Sequence, residues 1–337
     1  MGATIRDVAR VAGVGLGTVS RVLNNSPLVS QATRQRVLDV IAELNYTPSQ
    51  IARSFARGKT LTVATIVPFL TRPSVIERLR GIEVTLAASN YDLVVFNVEN
   101  VARRDACLRE VPRADRADGV IVISLAPRAD EVAALRAAPA PVVLVDTAAA
   151  DLYSVLVDDV AGGALATRHL VELGHRRIGF VGDPLDDPLN LHFVSSRRRF
   201  EGYRHALASA GLPFREDYHR HGPHGRYESR VQARELLQLP EPPTAIFAAS
   251  DTQAMGVLEA ARDLGLAVPD SLSVIGFDDI DVAEYLGLTT VRQPLFESGV
   301  RGAELVLELI AGGQPPRYHE YLPVELIARA TTAPPPG

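Results

Sequence analysis

The sequence predicts two fold classes in one chain: an all-α head over residues 1–46 and, after a hinge over residues 47–60, an α/β body over residues 61–337. Three observations lead there. Apolar residues recur at helical spacing in three short runs, with a glycine turn between the first two. From Leu61 onward, Val- and Ile-rich runs alternate with helical stretches, the βα grammar of a parallel sheet. Charge divides at the same place. In residues 1–60, Arg6, Arg10, Arg21, Arg34, Arg36, Arg53, Arg57 and Lys59 face only Asp7, Asp39 and Glu43, a net +5 within a chain of net −5. The remainder therefore carries −10, and a small cationic head on an acidic body suits a partner rich in phosphate.

The head begins with Thr4-Ile5-Arg6-Asp7, which reads as a capping box with Thr4 as N-cap. Ile5, Val8, Val11 and Ala12 form the apolar stripe of a first helix, and Gly13 ends it by tolerating positive φ. A second helix runs from about Thr18 to Leu23 with Val19, Val22 and Leu23 inward. A third runs from Ser30 to about Leu44, burying Val37, Ile41 and Leu44. This is helix-turn-helix geometry, in which the second helix enters the major groove of DNA. Leu16, Gly17, Thr18, Ser20 and Arg21 are then the candidates to meet bases. Arg21 can form a bidentate pair with guanine, and Leu16 can press on thymine methyls. Thr18, Ser20, Asn24 and Thr33 suit phosphate contacts, which position without specifying.

The spelling carries more than the periodicity. Ile5-Arg6-Asp7-Val8-Ala9, Ala12-Gly13-Val14, Thr18-Val19-Ser20-Arg21-Val22-Leu23-Asn24 and Glu43-Leu44-Asn45-Tyr46-Thr47-Pro48 together resemble the head of the lactose-repressor (LacI/GalR) family of transcription regulators. The resemblance adds Thr4, Tyr46, Ser49, Ala52 and Phe55 to the DNA-contacting set. It implies that the segment after Pro48 folds into a hinge helix in the minor groove on operator DNA. Phe55 stands there where the family usually places a wedging leucine. Gly15 and Gly17 also depart from the family pattern, weakening the start of the recognition helix by up to about 1 kcal/mol each.

In the body, Thr62–Val67, Asp92–Asn97, Gly119–Ser124 and Pro141–Asp146 read as buried strands, with helices such as Val75–Ser89 and Ala129–Ala137 between them. A second series, Arg177–Gly182, Thr244–Ala248 and Leu272–Phe277, is interleaved with helices near Gly162–Leu173, Ser196–Ala210, Arg226–Leu237 and Thr252–Leu264. Ligands of such sheets bind beyond the strand C-termini. Leu173-Gly174-His175-Arg176-Arg177-Ile178-Gly179-Phe180, Ser250-Asp251, Val274-Ile275-Gly276-Phe277-Asp278-Asp279 and Thr289-Thr290-Val291-Arg292-Gln293-Pro294 extend the resemblance over nearly the whole chain. It implies a two-lobed, periplasmic-binding-protein-like body of two doubly wound parallel sheets. The chain would cross between lobes near Asp159, Thr290 and Glu320, giving an N-lobe of about 61–159 and 291–320 and a C-lobe of about 160–290 and 321–332.

By family position, Arg199 and Asp278 are the leading effector contacts. A guanidinium fork and a carboxylate together can grip vicinal hydroxyls or a carboxylate. Asp146, Ser250, Asp251 and Gln293 stand behind them, with Phe69 and His224 as possible walls. The resemblance favours a sugar or sugar derivative, with a purine or other metabolite as the alternative. Ser250 in place of the common Asn, the absence of tryptophan and an unusual stretch Asp183–Phe193 leave the ligand open.

Rival functions fare worse. Neither GxGxxG, GxxxxGK[ST], HExxH nor GxSxG occurs. Asp158-Asp159 and Asp278-Asp279, read as strand neighbours, would point to opposite faces and chelate poorly. No enzyme activity, metal or cofactor is therefore expected. Cys107, the single cysteine, reads as a packed small hydrophobe. The chain opens on no signal-peptide pattern and has no membrane-length apolar run, which favours a cytoplasmic regulator over a transport binding protein. Two heads on a pseudo-palindromic operator call for a homodimer, and the Pro-rich end cannot extend a tetramerising coiled coil. Ligand binding would close the lobes and change operator affinity, by induction rather than co-repression as the commoner family mode.

Overall fold

A computed structural model describes residues 3–23, 26–46, 59–113, 116–186, 189 and 191–336. The head comprises α1 (Ile5–Ala12), α2 (Leu16–Leu23) and α3 (Gln31–Glu43). Thr4 caps α1 in a complete capping box with Asp7, and Gly13 closes it at φ 64°. Ser30 caps α3, accepting the Thr33 N–H. The head core is Val8, Ala9, Ala12, Val19, Val22, Val37, Val40 and Tyr46, with Leu23, Ile41 and Leu44 packed around it. One expected core position fails. Val11 lies on the surface and Ala9 takes its place, because the i, i+3, i+4, i+7 stripe from Ile5 passes through Val8, Ala9 and Ala12.

The body holds two six-stranded sheets among the described residues. The first runs β2 (Asp92–Val98), β1 (Thr62–Pro68), β3 (Gly119–Ile123), β4 (Val142–Val145), β5 (Tyr153–Val157) and β11 (His319–Leu322), every pairing parallel. Alternation along β1 sends Val63 and Val67 to α4 (Pro73–Ala88) and α12 (Leu295–Ile310). Ala64 and Ile66 face α5 (Val101–Glu110) and α6 (Ala129–Arg136) on the other side. Cys107 is buried in that second layer, and burial pushes its thiol up.

The second sheet runs β7 (His219–His221), β6 (Ile178–Gly182), β8 (Ala245–Ala248), β9 (Ser273–Asp278), β10 (Thr289–Arg292) and β12 (Glu325–Ile327). It departs from an all-parallel sheet only at the edge, where β12 runs antiparallel to β10. Helices α7 (Asp159–Glu172) and α8 (Ser195–Ser209) cover one face. Helices α9 (Arg226–Leu237) and α10 (Asp251–Asp263) cover the other. The short α11 (Asp281–Tyr285) follows β9.

Several expectations need adjustment. Asp92–Asn97 is a sheet edge rather than a buried strand, and Val94 is exposed. The chain passes between sheets after Val157, then between Arg292 and Leu295, then between Leu322 and Glu325. The last two passages lie a few residues beyond Thr290 and Glu320, so the first lobe takes β11 whole.

Three helix pairs are drawn unusually close, α9 and α10 at Gly256 among them, and two of the three position the inter-lobe site. On α7 and α8, a Cβ on Gly163 would overlap the Arg199 carbonyl, and one on Gly202 would overlap that of Val160. On α4 and α12, a Cβ on Gly299 would overlap the Arg78 carbonyl, and one on Gly81 that of Phe296. Close backbone approach is what requires glycine here.

Candidate functional site

The head presents α2 outward. Leu16, Gly17 and Arg21 are exposed, and Thr18, Ser20 and Thr33 are partly so. Around Gly15 and Gly17 lies open space, so neither glycine is demanded by packing. Three expected DNA contacts read differently in the structure. Tyr46 is packed into the head core at 8% exposure, so its ring supports the helices rather than facing outward. The Thr4 hydroxyl and N–H are both spent on Asp7, at 2.7 and 3.0 Å, and the same bonds hold the Asp7 carboxyl down at about 2. The Thr33 hydroxyl accepts from Ser30 at 2.9 Å. Asn24, Ser49, Ala52 and Phe55 lie outside the described residues.

In the body, residues just past the strand C-termini converge on a cleft between the lobes, where doubly wound sheets bind ligands. Ser124 and Asp146 come from the first lobe; Asp183, Ser250 and Asp278 come from the second. Several sit at positive φ: Phe69 at 45°, Ser124 at 55°, Asp146 at 64° and Asp278 at 119°. Such conformations cost non-glycine residues about 1–3 kcal/mol and cluster at ligand sites.

Arg199 lies at the base of the cleft with only 5% exposure. Its Nε donates to Asp159 at 2.8 Å and its Nη1 to the Ala249 carbonyl at 2.7 Å, with Asp278 at 3.4 Å. The guanidinium also lies over the Phe277 ring, 3.7 Å from its centroid. Burial opposes its charge, but Asp159, Asp278 and Asp146 outweigh that and hold it firmly protonated. Burial pushes the Asp159 carboxyl up to about 6 despite Arg199, and raises Asp278 as well.

From Arg199 the polar contacts continue from one lobe to the other. Gln293, on the second passage between lobes, donates from Nε2 to Asp278 and accepts from Arg78 at 3.0 Å. Arg78 pairs with Asp146 at 2.8 Å, and Asp146 also accepts from Ser124 at 2.6 Å. On the far side of the cleft, the Ser195 hydroxyl donates to Asp146 at 3.5 Å. One unbroken chain, Asp146–Arg78–Gln293–Asp278–Arg199–Asp159, thus joins the lobes.

Of the expected effector residues, Arg199, Asp278, Asp146, Ser250, Gln293 and His224 line the inner cleft, and Phe69 lines its outer part. Ser250 is also the cap of α10, accepting the Gln253 N–H. Asp251 does not line the cleft. It is fully buried beneath it, accepting from the Thr290 hydroxyl and the Ile280 N–H, with its pKa pushed well up by burial and by Asp278. Sequence reasoning missed Arg72, Arg78, Asp183, Phe193, Ser195 and Gln253. Only the odd stretch Asp183–Phe193 hinted at some of them.

The acidic pairs are separated, though not as strand neighbours. Asp158 caps α7 while Asp159, at its first turn, faces Arg199. Asp279 pairs with Arg292 and Arg329 while Asp278 faces the cleft. No cluster able to hold a metal ion occurs among the described residues.

Comparison with known proteins places these features. Residues 4–49 match the bacterial regulatory proteins of the lacI family, and residues 167–332 match a periplasmic binding protein-like domain. The HTH-type transcriptional repressor CytR of Escherichia coli (strain K12) is 34% identical over 334 residues, 98% of this chain and 96% of CytR. The lac repressor dimer, solved on its operator with the anti-inducer ONPF, superposes with a TM-score of 0.84 at 28% identity, covering 99% of this chain and all of that one. The regulator CelR in complex with cellobiose superposes with a TM-score of 0.71 at 31% identity, covering 98% of this chain and 99% of CelR.

Proposed function

This chain belongs to the LacI family of bacterial regulatory proteins, a family of DNA-binding transcription regulators, and we propose that a small molecule held between its lobes releases it from its operator. One observation carries the proposal: the buried polar chain centred on Arg199 runs from one lobe to the other and opens on the cleft. A ligand that competes for Arg199, Asp278 or Asp146 rearranges bonds belonging to both lobes at once. Hydroxyl-rich sugars or sugar derivatives match that donor and acceptor set, and CelR was solved with cellobiose. The effector contacts are Arg199, Asp278, Asp146, Ser250 and Gln293, with Phe69 and His224 as walls.

On the DNA side, Arg21 and Leu16 read bases while Gly17, Thr18, Ser20 and Thr33 line the groove and its phosphates. Ser49, Ala52 and Phe55 belong to the hinge that follows. The regulator acts as a homodimer in the cytoplasm, since twofold symmetry matches a pseudo-palindrome and the lac repressor it resembles was solved as a dimer on operator. No helix among the described residues is long and apolar enough to cross a membrane. Asp158, Asp159 and Asp279 are engaged in a cap and in ion pairs, which fits a DNA-binding regulator.

Two variants test the two ends. Arg21→Ala loses discrimination between operator and scrambled duplex by about 1–3 kcal/mol, with non-specific binding largely retained. Arg199→Ala binds operator but no longer responds to effector. A normal effector response in Arg199→Ala contradicts the assignment of the cleft.

A further inference from the structure

Arg72 is the one partly buried arginine of the cleft that pairs with no described residue; Arg197, in the outer chamber, is exposed. Arg78 is paired with Asp146, and Arg199 with Asp159 and Asp278. The Arg72 guanidinium makes no hydrogen bond or ion pair with any described residue. It is held instead over two rings from opposite lobes, 4.5 Å from the Phe69 centroid and 5.2 Å from that of Phe193. Its neighbour Asp183 is already engaged, accepting from Gln253 at 3.1 Å and paired with His224 at 3.0 Å. Burial lowers the Arg72 pKa, and the nearby carboxylates Asp183 and Asp278 offset that only in part.

The position adds to this. Arg72 borders both the inner chamber, about 70 Å³, and the outer one, about 490 Å³, into which it opens. Arg197 and His224 share the outer chamber, where Asp183 is the sole carboxylate among the lining residues. Two long helices also begin at the cleft without a side-chain cap, α4 after Arg72 and α8 after Val194. A partly buried cation with aromatic support but no direct ion pair, its nearest carboxylate shared with His224 and Gln253, is costly unless something supplies the charge.

We infer that the effector carries an anionic group, a carboxylate or a phosphate, which pairs with Arg72 while its hydroxyl-bearing part reaches inward to Arg199 and Asp278. This rests on the cleft being the effector site. CelR was solved with the uncharged disaccharide cellobiose, so an anionic effector would set this chain's specificity apart from that of CelR.

The test is thermal melting of the full chain with sodium phosphate or sodium acetate, against sodium chloride at matched ionic strength. Wild type is expected to gain about 2–4 °C over chloride with at least one anion, at some ten times its dissociation constant. Phosphate alone acting marks a phosphorylated effector, and acetate alone a sugar acid. Arg72→Gln loses the gain while keeping its melting midpoint in chloride, and Arg72→Lys keeps part of it. No gain in wild type, or an equal gain in Arg72→Gln, overturns the inference. Failure of the cleft reading shows elsewhere, in the operator response of Arg199→Ala, which does not depend on Arg72.

Discussion

Arg199 and Asp159 illustrate what burial does to a charge pair. Each ion alone is costly away from water, so the pair persists only because Asp278, the Ala249 carbonyl and the Phe277 ring complete its surroundings. The raised pKa of Asp159, about 6 against an ordinary 3.8, has a definite sign for stability. The folded chain holds a proton that the unfolded chain has released, so this contribution is full below pH 4 and is lost as pH rises through about 6. Asp159→Asn should flatten that part of the profile. Urea midpoints measured from pH 4 to pH 7 check it, and equal slopes in variant and wild type contradict it. At this scale the sequence was legible where a residue sits in a spelled-out motif, as Arg199 and Asp278 do. Arg78 was not legible, because an arginine inside a helix reads as a solvated position. Its burial depends on Gln293, 215 residues away. Tyr46 shows the converse, since its reading as a DNA contact gave no sign that its ring packs into the head core.

At the scale of elements, Val- and Ile-rich central strands announced themselves because parallel sheets bury both faces. Strands β5, β7, β10, β11 and β12 did not. They are only 3 to 5 residues long, mostly polar or mixed, and defined by their neighbours in the sheet. Helix α12 was also missed. Its Gly299 and Gly302 break the expected pattern, yet they are what admits the Arg78 backbone and Val145. Glycine therefore means opposite things in two helices. At Gly17 in α2 a Cβ meets nothing, and Gly17→Ala should stabilise the head by up to about 1 kcal/mol. At Gly299 a Cβ strikes the Arg78 carbonyl, and Gly299→Ala should destabilise the body by about 1–3 kcal/mol. Denaturant titration of both variants checks the two signs. A stabilised Gly299→Ala shows that the α4–α12 contact is looser than described.

At the scale of the whole molecule, the division of charge and the two lobes serve one linkage. The head and hinge together, residues 1–60 at +5, bind phosphates with a strong dependence on salt, while the −10 body stays off the DNA. The two-lobed body was legible from family spelling carried through Asp278-Asp279 and Gln293-Pro294. The direct coupling of the lobes was not, because the chain from Asp146 to Asp159 exists only when residues from six separate elements and loops meet. If occupancy of the cleft alters operator affinity, operator must alter effector affinity by the same factor, typically about 5–150-fold in such systems. The most direct measurement is effector affinity by calorimetry, made on the free full chain and again on the chain saturated with a selected operator duplex. Weaker effector binding on operator, by the same factor as effector weakens operator binding, is the predicted result. An effector affinity unchanged by operator would contradict the account.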